Sequence, residues 1–256
     1  MKTFKKYCFI FDKTKRSQKV KKNFKRYKNY KAKNSDIIIV AGGDGFMLRA
    51  IKKFYRFKKP FYGINCGTIG FLMNKFQNTE LEKKIKRTKT FSINPLEIKI
   101  LNSKGKHFKM LAINEISLLR QSKQTAVLSL VSNKRILIKK LISDGVLIST
   151  PAGSTAYNLS VHGPILSLNS KKLAVTPISP FRPRRWKGTV LSDSGKIFIK
   201  NMDPKKRPIA AVADNHEVRN IKNITVKTNK KIHFKILFDS GYSLIKKIKS
   251  EQKKVN

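Results

Sequence analysis

Acidic residues, histidine and cysteine are scarce in this sequence of 256 residues, which contains 14 Asp and Glu, 4 His and 2 Cys. Cys8 and Cys66 have no partner at metal or redox spacing, which excludes a disulfide framework and suits a reducing cytoplasm. The histidines are scattered, so we expect no metal site built from protein side chains. No apolar run approaches the roughly 18 residues of a membrane span, and the run from Tyr7 to Phe11 is too short for a signal sequence. We predict a soluble, cytoplasmic protein without membrane contact.

Several widespread active-site motifs are also missing. The sequence has no G-x-x-x-x-G-K-[ST] phosphate loop, no G-x-G-x-x-G fingerprint after its first predicted strand and no H-E-x-x-H motif. A hydrolase triad could be drawn from Ser160, His162 and Asp144, but no G-x-S-x-G nucleophile elbow accompanies it. These absences argue against the protein classes that these motifs mark. Any ligand must therefore be bound by a different set of residues.

Positive charge is abundant, because 58 Lys and Arg against 14 acidic residues give a formal net charge of +44. Such a charge attracts any polyanion, so a non-catalytic nucleic-acid-binding protein is one alternative function. The basic residues are spread from Lys2 to Lys254 instead of being gathered on one tract, which a compositional bias of the source genome would explain. We therefore predict no specific nucleic-acid partner.

Hydrophobic patterning divides the chain into an α/β part and a β-rich part. The first third alternates apolar runs with helical patterns, which is typical of a parallel sheet. We predict strands at 7–11, 37–41 and 61–65 and helices at 17–30, 46–57 and 80–90. After Pro95, short alternating segments separated by polar turns continue to 232–238. The predicted domains are a Rossmann-like α/β domain at 1–92, a larger sandwich-like β domain at 93–240 and a polar tail at 241–256.

The segment GGDG at 42–45 follows the apolar run 37–41 and is the first candidate site. Glycine lets the backbone approach a ligand closely and leaves N–H groups open to phosphate oxygens, while Asp44 adds a carboxylate. Arg49, about one turn into the next helix, could reach the same phosphates or could be a solvated side chain. The structural alternative is a tight turn in which the aspartate caps the following helix.

Further polar segments follow in a definite order. They are NCGTIGFL at 65–72, the pair Asn114 and Glu115, and SDGVLISTPAGSTAYNLSVHGPIL at 143–166. The pair could bind a ribose and an amide, or it could form an Asx turn. The long segment passes from a strand into a short helix at 154–161 whose hydroxyls and N–H groups could bind a ligand or only cap the helix.

The order and the residues of these segments resemble those of the NAD kinase family, and the resemblance extends from Ile37 to about Val218. The stretches PISPFRPRRW at 177–186 and ADNHEVR at 213–219 are similar to its bacterial branch. The GGDG turn alone is shared with lipid kinases, so a lipid or other small-molecule kinase is a second alternative. The segment TPAGSTAYN at 150–158 favours the NAD kinases.

The resemblance implies a phosphotransferase. ATP, or inorganic polyphosphate, would donate a phosphoryl group to the 2′-hydroxyl of the adenosine ribose of NAD, giving NADP. A divalent cation, Mg²⁺ in the simplest case, would bridge the donor phosphates. The resemblance also implies an active site between the two domains and a homodimer or homotetramer.

The resemblance assigns site residues as well. Asp44 would be the proton acceptor facing the ribose hydroxyl. Contacts to the substrates are expected from the same segments, at Asp44, Gly45, Arg49, Asn114, Glu115, Asp144, Ala152, Thr155, Ala156, Tyr157, Asn158, Leu159 and Ser160. Phe46 and Ala152 stand where the family often has Thr or Ser, so hydroxyl contacts are lost there. The family's later Asp-Gly-Gln is replaced at 214–216, and we carry no role over to that segment.

Overall fold

The chain divides into two compact units, Met1–Ile93 with His233–Asn256 and Asn94–Ile232. The computed structural model describes residues 4–77 and 80–252. Within these ranges no helix has both the length and the apolar character needed to cross a membrane. Each unit has an apolar core of its own.

A mixed sheet is the centre of the first unit. Its strands are β1 (Tyr7–Phe11), β2 (Ile37–Gly42), β3 (Phe61–Asn65), β4 (Asn74–Lys75), β5 (Lys89–Ile93) and, from the end of the chain, β18 (Phe234–Phe238). The order is β1-β2-β3-β18-β5, with β4 paired to β3. Strands β1, β2, β3 and β18 are parallel, whereas β5 is antiparallel to β18. Every residue of β2 is buried, as its unbroken apolar run predicts for a central parallel strand.

Helices of the first unit are α1 (Lys15–Lys21), α2 (Asp44–Phe54), α3 (Leu81–Lys86) and α5 (Leu244–Gln252). The predicted helix at 17–30 is shorter in the structure, because α1 ends at Lys21 and a 3₁₀ turn follows. Phe24 and Tyr27 leave the helical path to pack their rings against Phe9. Aromatic packing against the sheet therefore replaces the remaining helical turns.

Two antiparallel sheets form the second unit. The strands are β6 (Leu96–Asn102), β7 (His107–Ala112), β8 (Glu115–Arg120), β9 (Ala126–Ser132), β10 (Arg135–Ser143), β11 (Gly145–Ser149), β12 (Lys172–Ile178), β13 (Thr189–Ser192), β14 (Lys196–Asn201), β15 (Ile209–Ala213), β16 (His216–Val218) and β17 (Ile221–Thr228). Their orders are β10-β9-β14-β17-β6-β7 and β13-β12-β11-β8-β15-β16. Apolar side chains of both sheets share one core, as in a sandwich. After β11, a 3₁₀ turn at Gly153–Thr155 leads into α4 (Tyr157–Ser160).

The fold class predicted from the sequence, an α/β domain followed by a β-rich sandwich, is confirmed. The end of the chain is a correction to the predicted division, because β18 pairs with β3 and β5 in the first unit. Phe234, Ile236, Leu237 and Phe238 are all buried there. The segment predicted as a polar tail contains α5. A strand's apolar pattern does not reveal which sheet it joins, and this is why the sequence misassigned β18.

Candidate active site

Asp44 is the first residue of α2 and is separated from the end of β2 by Gly43 alone. Its Oδ2 accepts a hydrogen bond from the backbone N–H of Phe71 at 2.7 Å, and its Oδ1 accepts one from the N–H of Leu72 at 2.9 Å. The residue that caps α2 is Gly43, so Asp44 is not the helix cap of the structural alternative. The segment NCGTIGFL, found separately in the sequence, thus holds the carboxylate of GGDG.

The pKa of the Asp44 carboxyl group is raised above its ordinary value. Burial is the largest cause, because it disfavours the charged form. The N–H groups of Leu72 and Phe71, followed by the positive charge of Lys247, oppose the shift. A carboxylate with a raised pKa is a better proton acceptor near neutral pH than an exposed one.

The glycines of GGDG differ in what surrounds them. A Cβ atom at Gly42 would lie 2.7 Å from Cδ1 of Phe46, so packing requires that glycine. A Cβ at Gly43 would meet no atom within 4 Å, and one at Gly45 would approach only Nη1 of Arg49, at 3.9 Å. Partly buried Gly43 and exposed Gly45 therefore border open space, as close approach of a phosphate requires.

In the second unit, Asn114 and Glu115 lie at the start of β8. Asp214 binds this turn, because its Oδ2 accepts from the N–H of Ile113 and its Oδ1 from the N–H of Asn114, both at 2.9 Å. Oδ1 of Asn114 and Oε2 of Glu115 are buried without a hydrogen-bond partner. Unpaired buried polar atoms cost free energy, so a ligand that bonds to them gains affinity.

Glu115 is also perturbed electrostatically. Burial and the nearby carboxylate of Asp214 raise the pKa of Glu115 to about 8. At neutral pH its carboxyl group therefore retains its proton and can donate a hydrogen bond. No role was predicted for Asp214, and the available signal was its position in the segment that replaces Asp-Gly-Gln.

The pair and the long segment 143–166 are brought together. The N–H of Thr150 donates to the carbonyl of Asn114 at 2.9 Å, and its hydroxyl donates to the carbonyl of Ile113 at 2.7 Å. A Cβ at Gly153 would lie 2.3 Å from the Asn114 carbonyl oxygen, so the turn packs directly on this backbone. Ala152 beside it is buried.

Side chains after this turn differ in exposure. Asn158 is fully buried; its amide donates to the carbonyls of Ser154 at 3.2 Å and Pro164 at 2.9 Å, and its Oδ1 accepts from the Thr176 hydroxyl at 2.7 Å. Both amide N–H groups are thus used within the unit. Of the other predicted contacts, Thr155 is buried, Ala156, Tyr157 and Leu159 are partly buried, and Ser160 is exposed.

Asp144 forms an ion pair that the sequence did not predict. Its Oδ1 lies 2.6 Å from Nε of Arg120, and both side chains are 36% exposed. Arg120 ends β8, the strand that begins at Glu115. This ion pair holds the Asp144 carboxylate in place but leaves part of it accessible.

Family models match most of this chain. Residues 5–89 match the ATP-NAD kinase N-terminal domain and residues 113–236 match the ATP-NAD kinase C-terminal domain. The NAD kinase of Hyphomonas neptunium is 44% identical over 89% of each chain. The NAD kinase of Zymomonas mobilis is 43% identical over 97% of this chain and 98% of the relative.

Solved structures agree with this assignment. Yeast NADH kinase complexed with NADH has a TM-score of 0.73 at 26% identity, covering 84% of this chain and 65% of its own. The NAD kinase of Archaeoglobus fulgidus in complex with ATP shares the fold, with a TM-score of 0.74 at 24% identity over 96% of this chain and 99% of its own. The chain therefore belongs to the ATP-NAD kinase family and is a phosphotransferase.

Proposed function

We propose that this chain transfers the γ-phosphoryl group of ATP to the 2′-hydroxyl of the adenosine ribose of NAD, giving NADP and ADP. The family assignment supports NAD as the acceptor and ATP as the donor. The solved relatives bound to NADH and to ATP are consistent with a dinucleotide acceptor and a nucleotide donor. Inorganic polyphosphate as a donor, the site between the domains and a homodimer or homotetramer stay predictions.

The observation that carries the mechanism is the carboxylate of Asp44, held by two backbone N–H groups beside an open glycine turn. Each carboxylate oxygen has a second lone pair that can accept a proton. In the proposed step the ribose oxygen bonds to the γ-phosphorus, its proton moves to Asp44, and the bond to the ADP oxygen breaks. The N–H groups of Gly43 and Gly45 would bind phosphate oxygens, with Arg49 as a predicted further contact.

Binding of NAD is assigned to the second unit. The unpaired Oδ1 of Asn114 can accept from an amide or hydroxyl of the dinucleotide, and the protonated carboxyl of Glu115 can donate. Asp144 adds a partly exposed carboxylate. The remaining predicted contacts are Ala152, Thr155, Ala156, Tyr157, Leu159 and Ser160. We assign Asn158 to support of this turn, because its amide N–H groups are already bonded.

A divalent cation is the remaining component of the proposal. Among residues 4–77 and 80–252, no group of three or more His, Cys, Asp or Glu side chains could hold a metal ion. Mg²⁺ usually retains several waters and binds through substrate phosphates with one or two carboxylates. We propose that it binds mainly through the phosphates of the donor, and we assign no step of proton transfer to it.

The test is NADP formation by the Asp44→Asn variant, with NAD, ATP and Mg²⁺, detected with an NADP-specific dehydrogenase. Loss of a general base predicts a fall in kcat of about 10² to 10⁴ with NAD binding largely retained. Asp36→Asn is the matched control, because Asp36 also accepts from two consecutive backbone N–H groups, those of Lys5 and Lys6, at 2.9 Å each. Equal turnover in the two variants would remove Asp44 from its proposed role.

A further inference from the structure

Lys247 lies on α5, in the segment that was predicted from the sequence to be a polar tail. Its ammonium group donates hydrogen bonds to the carbonyl of Gly70 and to that of Met73, each at 2.5 Å, and it lies 3.5 Å from the carbonyl of Phe71. The side chain is only partly exposed. A lysine used only for solubility would extend its ammonium group into solvent, so these contacts indicate a specific role.

Two of these three carbonyls, those of Gly70 and Phe71, belong to the peptide groups that bind Asp44. The carbonyl of Gly70 shares a peptide group with the N–H of Phe71, which donates to Asp44 Oδ2. The carbonyl of Phe71 likewise shares a peptide group with the N–H of Leu72, which donates to Asp44 Oδ1. Lys247 therefore contacts the carbonyl end of both peptide groups whose N–H ends hold the carboxylate.

We propose that Lys247 is a positioning residue that orients these two peptide groups toward Asp44 and favours the ionised carboxylate. This inference rests on the proposed function of Asp44 as proton acceptor. A cation at the carbonyl end polarises a peptide group, and hydrogen bonds that follow one another in a chain strengthen each other. The N–H groups of Phe71 and Leu72 thereby become stronger donors to the carboxylate.

The charged groups around Lys247 are consistent with its favouring the ionised carboxylate of Asp44. The positive charge of Lys247 lowers the pKa of Asp44, and Asp44 and Asp239 in turn favour the charged lysine, whose pKa burial lowers to about 8. Asp239 already lies 3.3 Å from Nζ of Lys84. Part of its charge is thus compensated independently of Lys247.

Tyr242 is a further ionisable group beside this lysine. Its hydroxyl donates to the carbonyl of Phe71, and its ring centroid lies 4.5 Å from Nζ of Lys247. Burial raises the pKa of Tyr242, so the phenol is neutral at physiological pH. Tyr242 can hold the peptide in place, but Lys247 supplies the charge.

The experiment compares the pH dependence of kcat/KM in the original protein and in three variants. Lys247→Met removes the charge and keeps an unbranched side chain, Lys247→Arg keeps the charge, and Lys246→Met is the control for an exposed lysine on the same helix. We expect Lys247→Met to move the acidic limb upward by about one pH unit, because an opposite charge near a carboxylate lowers its pKa. This is about a tenfold loss of kcat/KM on the acidic side, with NAD affinity unchanged. Lys247→Arg and Lys246→Met should keep the limb of the original protein.

An acidic limb that is unmoved in Lys247→Met, or that moves equally in Lys247→Arg, would overturn the inference. Lys247→Gln repeats the comparison if the methionine variant does not fold. Failure of both neutral variants to fold would also overturn it, because the lysine would then be needed for the fold itself. The Asp44→Asn assay separates the two proposals: its failure removes the base, whereas an unmoved limb in an enzyme that needs Asp44 removes only Lys247.

Discussion

Asp214 accepts a hydrogen bond from the backbone N–H of Asn114 at 2.9 Å, although the two residues are 100 positions apart in the chain. Burial raises the pKa of Glu115, and the same carboxylate adds to the shift. Asp214, for which no ligand contact was predicted, thus shapes the turn that presents Asn114 and adds to the burial that keeps Glu115 protonated. If NAD binds at Asn114 and Glu115 as proposed, Asp214 should affect NAD affinity through this turn.

Asp214→Asn should therefore weaken NAD binding by about tenfold. The two N–H groups bond to different oxygens of Asp214, and the amide would present an NH2 donor in place of one of them. One hydrogen bond is then lost, and a hydrogen bond to a charged group contributes about 1.5–3 kcal/mol. NAD titration by calorimetry measures the effect, with Asp36→Asn as the control for loss of the same kind of carboxylate. Equal NAD affinities in the two variants would show that the turn does not depend on Asp214.

Glu115→Gln should change stability in a pH-dependent way. The folded protein keeps the Glu115 proton up to about pH 8, whereas the unfolded chain releases it near the ordinary value of 4.5. Between these values the folded state binds more protons, so this group's contribution to stability is full below pH 4.5 and is lost as the pH rises to about 8. Glutamine does not ionise.

We expect Glu115→Gln to be more stable than the original protein at pH 8 by about 1–3 kcal/mol, and the difference to vanish near pH 4.5. Urea unfolding at several pH values gives the comparison. NAD affinity should be largely retained at neutral pH, because the amide N–H of glutamine can donate the hydrogen bond proposed for the protonated carboxyl group. A stability difference that does not vary with pH would contradict the assigned protonation of Glu115.

Alanine at Gly43 and at Gly153 should give opposite results. A Cβ at Gly43 meets nothing within 4 Å, so Gly43→Ala should melt within a few degrees of the original protein but lose about tenfold or more in kcat/KM by obstructing the phosphates. At Gly153 the Cβ would lie 2.3 Å from the Asn114 carbonyl oxygen. Gly153→Ala should therefore lower the free energy of unfolding by at least about 1–3 kcal/mol. Melting curves and kinetics of both variants test whether each glycine is needed for activity or for stability. A fully active Gly43→Ala variant would argue against a phosphate at that turn.

The strands of the first sheet show how far the sequence could predict the fold. Predicted strands 7–11 and 61–65 coincide with β1 and β3, because each is an apolar run between polar segments. The helix predicted at 80–90 is shorter, because α3 ends at Lys86 and its last two predicted residues belong to β5. The sequence did not indicate this strand, since Lys89–Ile93 is largely exposed and carries no buried pattern. Hydrophobic patterning therefore predicts buried strands well and exposed strands poorly.

Sequence motifs indicated the candidate side chains of the site. They did not indicate the backbone groups that hold those side chains. Asp44, Asn114 and Glu115 were found from local sequence, but the N–H groups that hold Asp44 belong to residues 71 and 72, and any residue type supplies such a group. Lys247 is one of 58 basic residues, so composition gave no reason to select it. Only the folded chain brings these partners together.

Asn158→Ala should separate support of the fold from ligand contact. Its side chain bonds to Ser154, Pro164 and Thr176 in a fully buried position, so truncation leaves unpaired buried groups and a cavity. We expect a loss of about 2–4 kcal/mol in the free energy of unfolding, whereas Ser160→Ala, at an exposed position of the same helix, should stay within about 0.5 kcal/mol. NAD affinity of the folded Asn158→Ala protein should change by less than about threefold, because the amide has no N–H left for the dinucleotide. A variant that keeps its melting temperature but loses NAD affinity would instead make Asn158 a direct ligand contact.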